Sequence, residues 1–257
     1  MALLEVRHLS RSFGGLAAVH DVSFDVVPGC IKGIIGPNGA GKTTLFNLVC
    51  GATRADSGSV VLEGEQTEGL PPFAIAARGM LRTFQQVRLF HGMTVLENVM
   101  TGMHTRASSG MLAALLGSAR VRDEESVMQA RARECLSLTG VEAYADCEAT
   151  SLAFGQQRGV ELARALAAQP RIVLLDEPAA GLNMHETAEL AALIRTIRDR
   201  GVTVVLVEHD MSLVMDVCDE VVVLSSGKKI AEGTPRQIQG NEEVVRVYLG
   251  DECAENP

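Results

Sequence analysis

Residues 36–44 read Gly-Pro-Asn-Gly-Ala-Gly-Lys-Thr-Thr, which is a complete phosphate-binding P-loop. An apolar run at 30–35 precedes this stretch and predicts a strand, and the run at 45–49 that follows predicts a helix. In such a strand–turn–helix unit, backbone N–H groups converge on an anion and the helix N-terminus adds partial positive charge. The predicted phosphate-binding residues are Gly36, Pro37, Asn38, Gly39, Ala40, Gly41, Lys42, Thr43 and Thr44.

Two side chains of the P-loop have distinct predicted roles. Lys42 is expected to reach the β and γ phosphates of a nucleotide, and the hydroxyl group of Thr43 is expected to bind Mg²⁺. The alternative is a glycine-rich turn that binds no ligand. The strand and the helix predicted on either side of the loop favour the nucleotide site over that alternative.

A second motif combines a buried strand with two acids. Residues 171–178 read Arg-Ile-Val-Leu-Leu-Asp-Glu-Pro, so an apolar strand ends at Asp176 and Glu177. Neighbouring side chains of a strand point to opposite sides, which lets the two acids take different roles. Asp176 is expected in the Mg²⁺ shell, and Glu177 is expected to act as a general base or to orient water beside the γ phosphate. Acids at a strand end are often merely solvated, but the P-loop in the same chain favours the functional interpretation.

The composition of the 257-residue chain excludes several classes of protein. A hydrophobic share of 47% argues against disorder, and no apolar stretch approaches the roughly 20 residues that cross a bilayer. The formal charge of −9, the lack of tryptophan and the two tyrosines argue against a nucleic-acid partner. The six cysteines lack metal-binding spacing and are expected to be reduced thiols. The first residues do not resemble a signal peptide, so we expect a cytoplasmic protein.

The period of the apolar residues predicts most of the remaining elements. Residues 1–30 alternate apolar and polar, which predicts half-buried antiparallel strands. Continuous apolar runs at 172–175 and 202–207 predict strands that are buried on both faces. Apolar residues recur at helical spacing over 128–139 and 190–197, which predicts one buried face on each of two helices.

Two further segments need separate interpretation. Residues 221–231 carry two apolar runs around Ser226-Gly227, which predicts a hairpin. Residues 105–122 are expected to hold a short helix within a long connection. A stretch that touches the membrane is the less favoured alternative there, because six apolar residues make a small anchor.

A third motif, at 151–158, reads Ser-Leu-Ala-Phe-Gly-Gln-Gln-Arg. With it, the chain resembles the nucleotide-binding subunits of ABC transporters, in which this segment is the signature motif. The resemblance covers nearly the whole chain and includes, in the family's order, a P-loop, a glutamine loop, the signature, the carboxylate strand and a switch histidine. It implies an α/β fold with a P-loop NTPase (RecA-like) core, an antiparallel β-subdomain and a helical signature subdomain.

The resemblance also implies a single ATP-binding domain over residues 1–257. Its RecA-like core and antiparallel part are expected at about 1–90 and 169–257, and its helical subdomain at about 91–168. ATP and Mg²⁺ are the implied cofactors. The implied activity is ATP hydrolysis coupled to transmembrane transport.

Further site residues follow from the resemblance. Phe13 matches the aromatic residue that stacks on adenine, with a core phenylalanine as the alternative. Gln85 matches the glutamine that contacts Mg²⁺ or the attacking water and senses the membrane subunit, and the neighbouring Gln86 is its rival. His209 matches the switch histidine that contacts the γ phosphate. The implied catalytic residues are Lys42, Gln85, Glu177 and His209, and the implied Mg²⁺ ligands are Thr43, Gln85 and Asp176.

The residues that would contact the nucleotide of a facing subunit depart from the family pattern. The signature serine is Ala153 here, the first signature glycine is Phe154, and Asn183 replaces an aspartate in the loop that crosses to the partner. Ala153 removes a hydroxyl donor, but the backbone N–H groups near Gly155 and Gln156 remain available to a phosphate. These changes argue against a pair of subunits that forms two nucleotide sites of equal strength.

Two motif variants are Leu-Ala-Phe-Gly-Gln-Gln at 152–157 and Ala-Ala-Gly-Leu-Asn at 179–183. They resemble one branch of the family, the ATPase subunits of bacterial importers for branched-chain and related hydrophobic amino acids. The implied partners are transmembrane permease subunits, a second ATPase subunit and, indirectly, a substrate-binding protein. The second ATPase is either a copy of this chain or a relative, and the resemblance favours a relative. The segment 87–90 is expected to line a groove for a permease helix, with a buried helical core as the alternative. The implied location is peripheral, on the inner face of the cell membrane.

Three alternative functions stay open. The ending Val-Tyr-Leu-Gly at 247–250 agrees with the importer branch but also occurs in lipopolysaccharide-export ATPases. The first alternative is therefore the ATPase of a lipid or lipopolysaccharide exporter. The second alternative is a nucleotide-dependent dimerisation switch with little hydrolysis, because Ala153 lacks the hydroxyl of the signature serine. The intact Lys42 and Glu177 argue against it. A soluble ABC ATPase of ribosomes or DNA repair is disfavoured, because those proteins usually carry two nucleotide domains or a long coiled-coil insert.

Overall fold

The structure is a computed structural model that describes residues 2–104 and 119–254. The chain divides into two compact units. The first, called the core unit here, comprises Met1–Arg82 and Arg171–Pro257, and the second, the helical unit, comprises Thr83–Pro170.

The described residues form ten strands and nine α-helices. The strands are β1 (Leu4–Phe13), β2 (Leu16–Val26), β3 (Ile31–Ile35), β4 (Ser57–Leu62), β5 (Glu65–Gln66), β6 (Met80–Arg82), β7 (Ile172–Asp176), β8 (Thr203–Val207), β9 (Glu220–Ser225) and β10 (Lys228–Gly233). The α-helices are α1 (Lys42–Val49), α2 (Pro72–Ala77), α3 (Val95–Thr101), α4 (Ala119–Leu138), α5 (Phe154–Ala167), α6 (Met184–Asp199), α7 (Met211–Val217), α8 (Pro235–Gln239) and α9 (Glu242–Ala254).

Four strands of the core unit form an antiparallel sheet in the order β2-β1-β4-β5. In β1, Val6 and Leu9 are both buried although they are three residues apart. A register shift between them, with His8 at a φ of 49°, allows both side chains to face the core. The half-buried antiparallel strands predicted over residues 1–30 are confirmed.

Six strands of the core unit form a second sheet in the order β10-β9-β3-β8-β7-β6. The five strands from β9 to β6 run parallel, and β10 pairs antiparallel with β9 as the predicted hairpin. Every residue of β3, β7 and β8 is buried, which confirms the strands predicted from continuous apolar runs. This mixed α/β architecture matches the predicted P-loop fold, and it places the ends of β3, β7 and β8 along one edge.

Two helices of the core unit matter for the site. Helix α1 begins at Lys42, three residues earlier than the apolar run alone predicts, because the P-loop passes straight into the helix at Gly41. Helix α6 buries Leu190, Ile194 and Ile197 on the predicted face. No helix in the described part of the chain combines the length and the apolar composition that a bilayer span requires.

The helical unit contains α3, α4 and α5. Thr94 and Glu97 form a capping box that starts α3. Helix α4 buries Ala132, Cys135 and Leu136, as the helical spacing predicts. The short helix expected within 105–122 falls mostly on residues 105–118, which lie outside the described residues.

Candidate nucleotide site

The P-loop connects β3 to α1 at the carboxyl edge of the six-stranded sheet. Gly36 and Gly41 adopt φ values of 152° and 100°, which residues with a Cβ atom rarely do. A Cβ atom on Gly36 would collide with the carbonyl oxygen of Leu224, and one on Gly41 would collide with that of Ala18. Only glycine fits these two positions, so the tight loop that the sequence predicts depends on both backbone shape and close packing.

The turn of the β9–β10 hairpin supports the P-loop from behind. The N–H of Gly227 donates to the carbonyl oxygen of Ala40 at 3.1 Å, and the carbonyl of Gly227 accepts from the N–H of His20 at 2.7 Å. Within the loop, the N–H of Ala40 donates to the carbonyl of Pro37 at 3.1 Å. The phosphate cradle is therefore held in shape by neighbouring backbone.

Lys42 is the first residue of α1 and is almost completely buried. Its Nζ donates to the carbonyl oxygens of Gly36 at 2.6 Å and Pro37 at 3.1 Å, so the amine lies over the P-loop. Burial lowers the pKa of Lys42, and the negative charges of Glu177, Asp176 and Glu208 oppose that effect. The core unit therefore brings the P-loop lysine close to the acids that follow β7 and β8.

Asp176 ends β7 and forms a buried ion pair. Its Oδ2 accepts from Nη2 of Arg82 at 2.6 Å, and both side chains are less than a tenth exposed. Arg82 also donates from Nη1 to Oδ1 of Asn47 at 2.6 Å, and its guanidinium lies 5.6 Å from the ring centroid of Phe46. Because Asn47 and Phe46 belong to α1, Arg82 connects the predicted magnesium ligand to the helix that starts at the P-loop.

The pKa of Arg82 reflects this pairing. Burial is the largest single influence and would lower it, but the hydrogen bonds to Asp176 and Cys50 and the charge of Asp176 together outweigh burial, so the pKa of Arg82 is raised. No sequence motif indicates that Arg82 is part of the site. Its position in β6, beside β7 in the sheet, is what makes the contact, and this pairing spans 94 residues of sequence.

Glu177 has a strained backbone. Its φ is 46°, in the left-handed region, where a residue other than glycine costs on the order of 1–3 kcal/mol. The N–H of Glu177 donates to the carbonyl of Val207 at 2.9 Å, and its carbonyl accepts from Ala180 at 3.1 Å. These bonds hold the turn just after β7 against the end of β8. Strain of this kind is concentrated at functional sites.

Glu208 follows β8 and is fully buried, whereas the side chain of the next residue, His209, is 60% exposed. Burial raises the pKa of Glu208, and hydrogen bonds from the backbone N–H groups of Ala179, His209 and Asp210 partly oppose it. The family motif predicts a role for His209 but none for Glu208. The signal available in the sequence was an acid directly after the apolar run at 202–207 and directly before the candidate switch histidine.

Phe13 lies at the end of β1, and its side chain is 49% exposed. The guanidinium of Arg11 lies 5.0 Å from its ring centroid. This exposure excludes the alternative of a core phenylalanine. Thr43, the first hydroxyl residue of the P-loop, is also exposed on α1.

In the helical unit, the candidate signature residues start α5. Ala153 is the N-cap, and its N–H donates to Oε1 of Gln156 at 3.1 Å. Phe154 is 44% exposed, with the guanidinium of Arg158 at 5.6 Å from its ring centroid. The start of this 14-residue helix, which includes Gly155, therefore carries an exposed aromatic ring and no side-chain hydroxyl at the N-cap.

Arg158 connects the start of α5 to the glutamine loop inside the helical unit. Its Nη1 donates to the carbonyl of Phe84 at 2.8 Å, and its Nη2 donates to the carbonyl of Gln85 at 3.0 Å. Nη1 also pairs with Glu161 at 3.1 Å, and both charged side chains are only 2% exposed. Desolvation raises the pKa of Glu161, and the charge of Arg158 opposes this shift. The helical unit thus holds the backbone of Gln85 to α5.

Asn183, the candidate partner contact of the core unit, has a structural task of its own. It is the N-cap of α6, and its Oδ1 accepts from the N–H groups of His185 at 2.9 Å and Glu186 at 3.0 Å. Asparagine performs this capping as well as aspartate does, so the replacement of the usual aspartate leaves the helix start intact.

Comparisons with known proteins agree with this geometry. A family described as "ABC transporter" matches residues 19–180, and one described as "Branched-chain amino acid ATP-binding cassette transporter" matches residues 228–254. The high-affinity branched-chain amino acid transport ATP-binding protein LivG of Escherichia coli K12 is 44% identical over 250 residues, which are 97% of this chain and 98% of LivG. The lipopolysaccharide export protein LptB of Haemophilus influenzae is 35% identical over 98% of this chain and 99% of LptB.

A solved structure has the same architecture. An ATP-binding cassette of an ABC transporter in its ADP conformation matches with a TM-score of 0.84 and 30% identity, over 97% of this chain and 99% of that chain. The match extends across both the P-loop sheet and the helical segment. It shows the same fold in a protein that binds nucleotide.

Proposed function

We propose, from the premise that the chain belongs to the ABC transporter family of ATP-binding subunits, that it drives the uptake of branched-chain or related hydrophobic amino acids. Members of this family hydrolyse ATP to power transport. The observation that carries the substrate class is the match of residues 228–254 to the branched-chain amino acid family. The export relative is less similar, at 35% identity against 44%, so an exporter is the weaker candidate.

ATP is proposed to bind with its phosphates in the P-loop. Lys42, whose Nζ now contacts the carbonyls of Gly36 and Pro37, would exchange them for oxygens of the β and γ phosphates. Phe13 is exposed and is proposed to stack on the adenine.

A magnesium ion is proposed to accompany the ATP. The hydroxyl of Thr43 and the carboxylate of Asp176 supply the oxygen donors that Mg²⁺ prefers, so these residue types fit the ion. The amide oxygen of Gln85 in the helical unit is a donor of the same type. When bound, Mg²⁺ would neutralise charge on the β and γ phosphates. Arg82 would hold one oxygen of Asp176 in place through the 2.6 Å contact.

The chemical step is assigned to residues that follow β7 and β8. Glu177 is proposed to orient a water molecule towards the γ phosphorus and to accept its proton. His209 follows β8, the strand that pairs with β7, and its side chain is 60% exposed; it is proposed to contact the γ phosphate. Lys42 would stabilise the charge that develops on the phosphoryl oxygens.

Two ATPase subunits are proposed to close on each nucleotide. The facing subunit would contribute residues 153–156 at the start of α5, where backbone N–H groups and the helix dipole favour an anion. Ala153 would contribute no hydroxyl donor, so this contact rests on backbone groups and on Gln156. Asn183 would face the partner from the start of α6. The partner is proposed to be a related ATPase subunit, with a second copy as the alternative.

The helical unit is proposed to dock on a permease at the inner face of the membrane. Phe90 is 52% exposed, and its backbone is fixed by Asn98, which accepts from the Phe90 N–H at 2.8 Å and donates to its carbonyl at 3.2 Å. The guanidinium of Arg164 lies 5.7 Å from the Phe90 ring. A rigidly held, exposed aromatic ring suits a helix-in-groove contact with a cytoplasmic permease helix.

A single substitution tests the proposed hydrolysis. Glu177→Gln should retain binding of a fluorescent ATP analogue and lower the rate of phosphate release by at least about a hundredfold, because it removes the general base. Glu189→Gln, an exposed acid of α6, is the matched control and should hydrolyse ATP normally. Normal turnover by Glu177→Gln would refute the assignment. Uptake of labelled leucine by vesicles that contain the complete transporter tests the substrate class.

A further inference from the structure

The buried carboxylate of Glu208 makes contacts that the proposed mechanism does not use. Its Oε1 accepts from the N–H of Ala179 at 2.8 Å. Its Oε2 accepts from the N–H of His209 at 3.1 Å and, more weakly, from that of Asp210 at 3.4 Å. One fully buried side chain therefore holds backbone groups from two different loops.

The two loops are those that carry the proposed reacting residues. Ala179 lies two residues after Glu177 in the turn that leaves β7, and His209 lies in the turn that leaves β8. The strands β7 and β8 are parallel neighbours, with Asp176 opposite Val207. The backbone N–H of Glu208 also points to the carbonyl of Ile34, at 3.4 Å, on the strand that leads into the P-loop. Glu208 thus lies where three parallel strands end.

We propose that Glu208 is a positioning residue that fixes the distance between the Glu177 turn and His209, so that both face the same γ phosphate. This inference rests on the proposed ATP hydrolysis. A carboxylate suits the task because it is an acceptor on both oxygens and can hold donors from two directions at once. Buried in low dielectric, such charge-assisted bonds are strong and directional.

Glutamine is the informative replacement, because it has nearly the same shape but carries one acceptor oxygen and one NH₂ donor. In Glu208→Gln the NH₂ group must face backbone N–H groups on one side. Either the contact to Ala179 or the contacts to His209 and Asp210 are then lost. Losing one charge-assisted hydrogen bond corresponds to about a tenfold to hundredfold lower kcat if the geometry of the chemical step depends on it. KM for Mg·ATP should change less than about threefold, since the P-loop is untouched.

A double-mutant cycle separates positioning from a general loss of stability. Steady-state ATP hydrolysis by the full chain with its transporter partners is measured for the wild type, Glu208→Gln, His209→Ala and the double variant. If Glu208 acts through His209, the Glu208→Gln change should lower kcat much less in the His209→Ala background than in the wild type. Equal fold-changes in both backgrounds would overturn the proposal.

Asp219→Asn is the matched control. Asp219 also holds a backbone N–H with a carboxylate oxygen, that of Ile31 at 2.8 Å, but at the opposite end of β3. Asp219→Asn should leave kcat unchanged, both in the wild type and in the His209→Ala background. A loss of kcat equal to that of Glu208→Gln would mean that any loosened strand end lowers turnover, and it would overturn the specific role.

A further measurement covers the case in which Glu208→Gln does not fold. Hydrogen exchange of the wild-type chain should then show slow exchange at the amides of Ala179 and His209, because both are bonded to a buried acceptor. Fast exchange at these amides would overturn the proposal. If the wild type itself hydrolyses no ATP with its partners present, the proposed function fails instead, and the two failures are distinguishable.

Discussion

Replacing Arg82 by methionine should destabilise the core unit far more than loss of a surface ion pair would. The side chains of Arg82 and Asp176 are 9% and 6% exposed, and their charged atoms are 2.6 Å apart. Arg82→Met fills a similar volume but leaves the carboxylate of Asp176 buried without its guanidinium. Breaking a buried pair in this way costs about 3–5 kcal/mol.

The expected change in melting temperature follows from that range. For a chain of this size, 1 kcal/mol corresponds to roughly 2–4 °C, so Arg82→Met should lower Tm by about 6–20 °C. Thermal unfolding followed by circular dichroism measures it. Arg78→Met is the matched control, because Arg78 pairs with Glu65 at 3.2 Å while both side chains are more than a third exposed. Such a surface pair contributes about 0.2–1 kcal/mol, so the control should shift Tm by no more than about 4 °C.

A second substitution identifies the cause of the loss. Adding Asp176→Asn to Arg82→Met removes the uncompensated charge, so the double variant should melt above Arg82→Met alone. If Arg82→Met melts within about 2 °C of the wild type, the pair does not carry the burial penalty that its geometry implies. If the double variant melts lower still, the unpaired carboxylate is not the source of the instability.

Two further predictions concern docking and acid stability. Phe90→Ala should reduce permease binding in pull-down assays and leucine uptake while leaving the nucleotide affinity of the chain unchanged. Phe73→Ala, which removes a 73% exposed ring from α2, is the control. Equal effects of the two variants would contradict the assignment of Phe90 to the permease groove. Burial is the largest single influence on Glu232 and would raise its pKa, but the hydrogen bonds and the positive charges of Lys229 and Lys32 together outweigh burial, so the pKa is lowered. The ionised form therefore stabilises the fold above the ordinary pKa of 4.5, and this contribution is lost as pH falls through the lowered value. Urea unfolding of Glu232→Gln should therefore depend less on pH in the acid range, and identical pH profiles for the variant and the wild type would refute this reasoning.

Local patterns were sufficient to predict many individual strands and helices, whereas the overall architecture was implied by the resemblance to ABC transporter subunits. The P-loop, the apolar runs of β7 and β8 and the helical spacing of α6 each lie within one segment, where period and residue type determine the element. The start of α1 was placed three residues late, because Lys42 to Thr44 are polar and carry no apolar period.

The contacts that the sequence did not predict join residues far apart in the chain. Arg82 meets Asp176 across 94 positions, and Glu208 meets Ala179 across 29. Arg158 meets the carbonyl of Gln85 across 73 positions. No periodicity encodes such pairs, because they arise only when the sheet order and the course of the loops are known. Each involves a charged side chain that the fold buries, and the burial of a single charge is not visible in the local sequence.

The hairpin contact behind the phosphate cradle limits how this protein can be engineered. Ser226 and Gly227 look like an exposed tip where an epitope tag, a fluorophore or a short insertion would be harmless, yet Gly227 is buried and bonded to Ala40. Any residue grafted there would push on the loop that is proposed to receive the triphosphate. Reporter groups therefore belong elsewhere on the molecule, and a loss of ATP binding after tagging at this turn would have a mechanical origin.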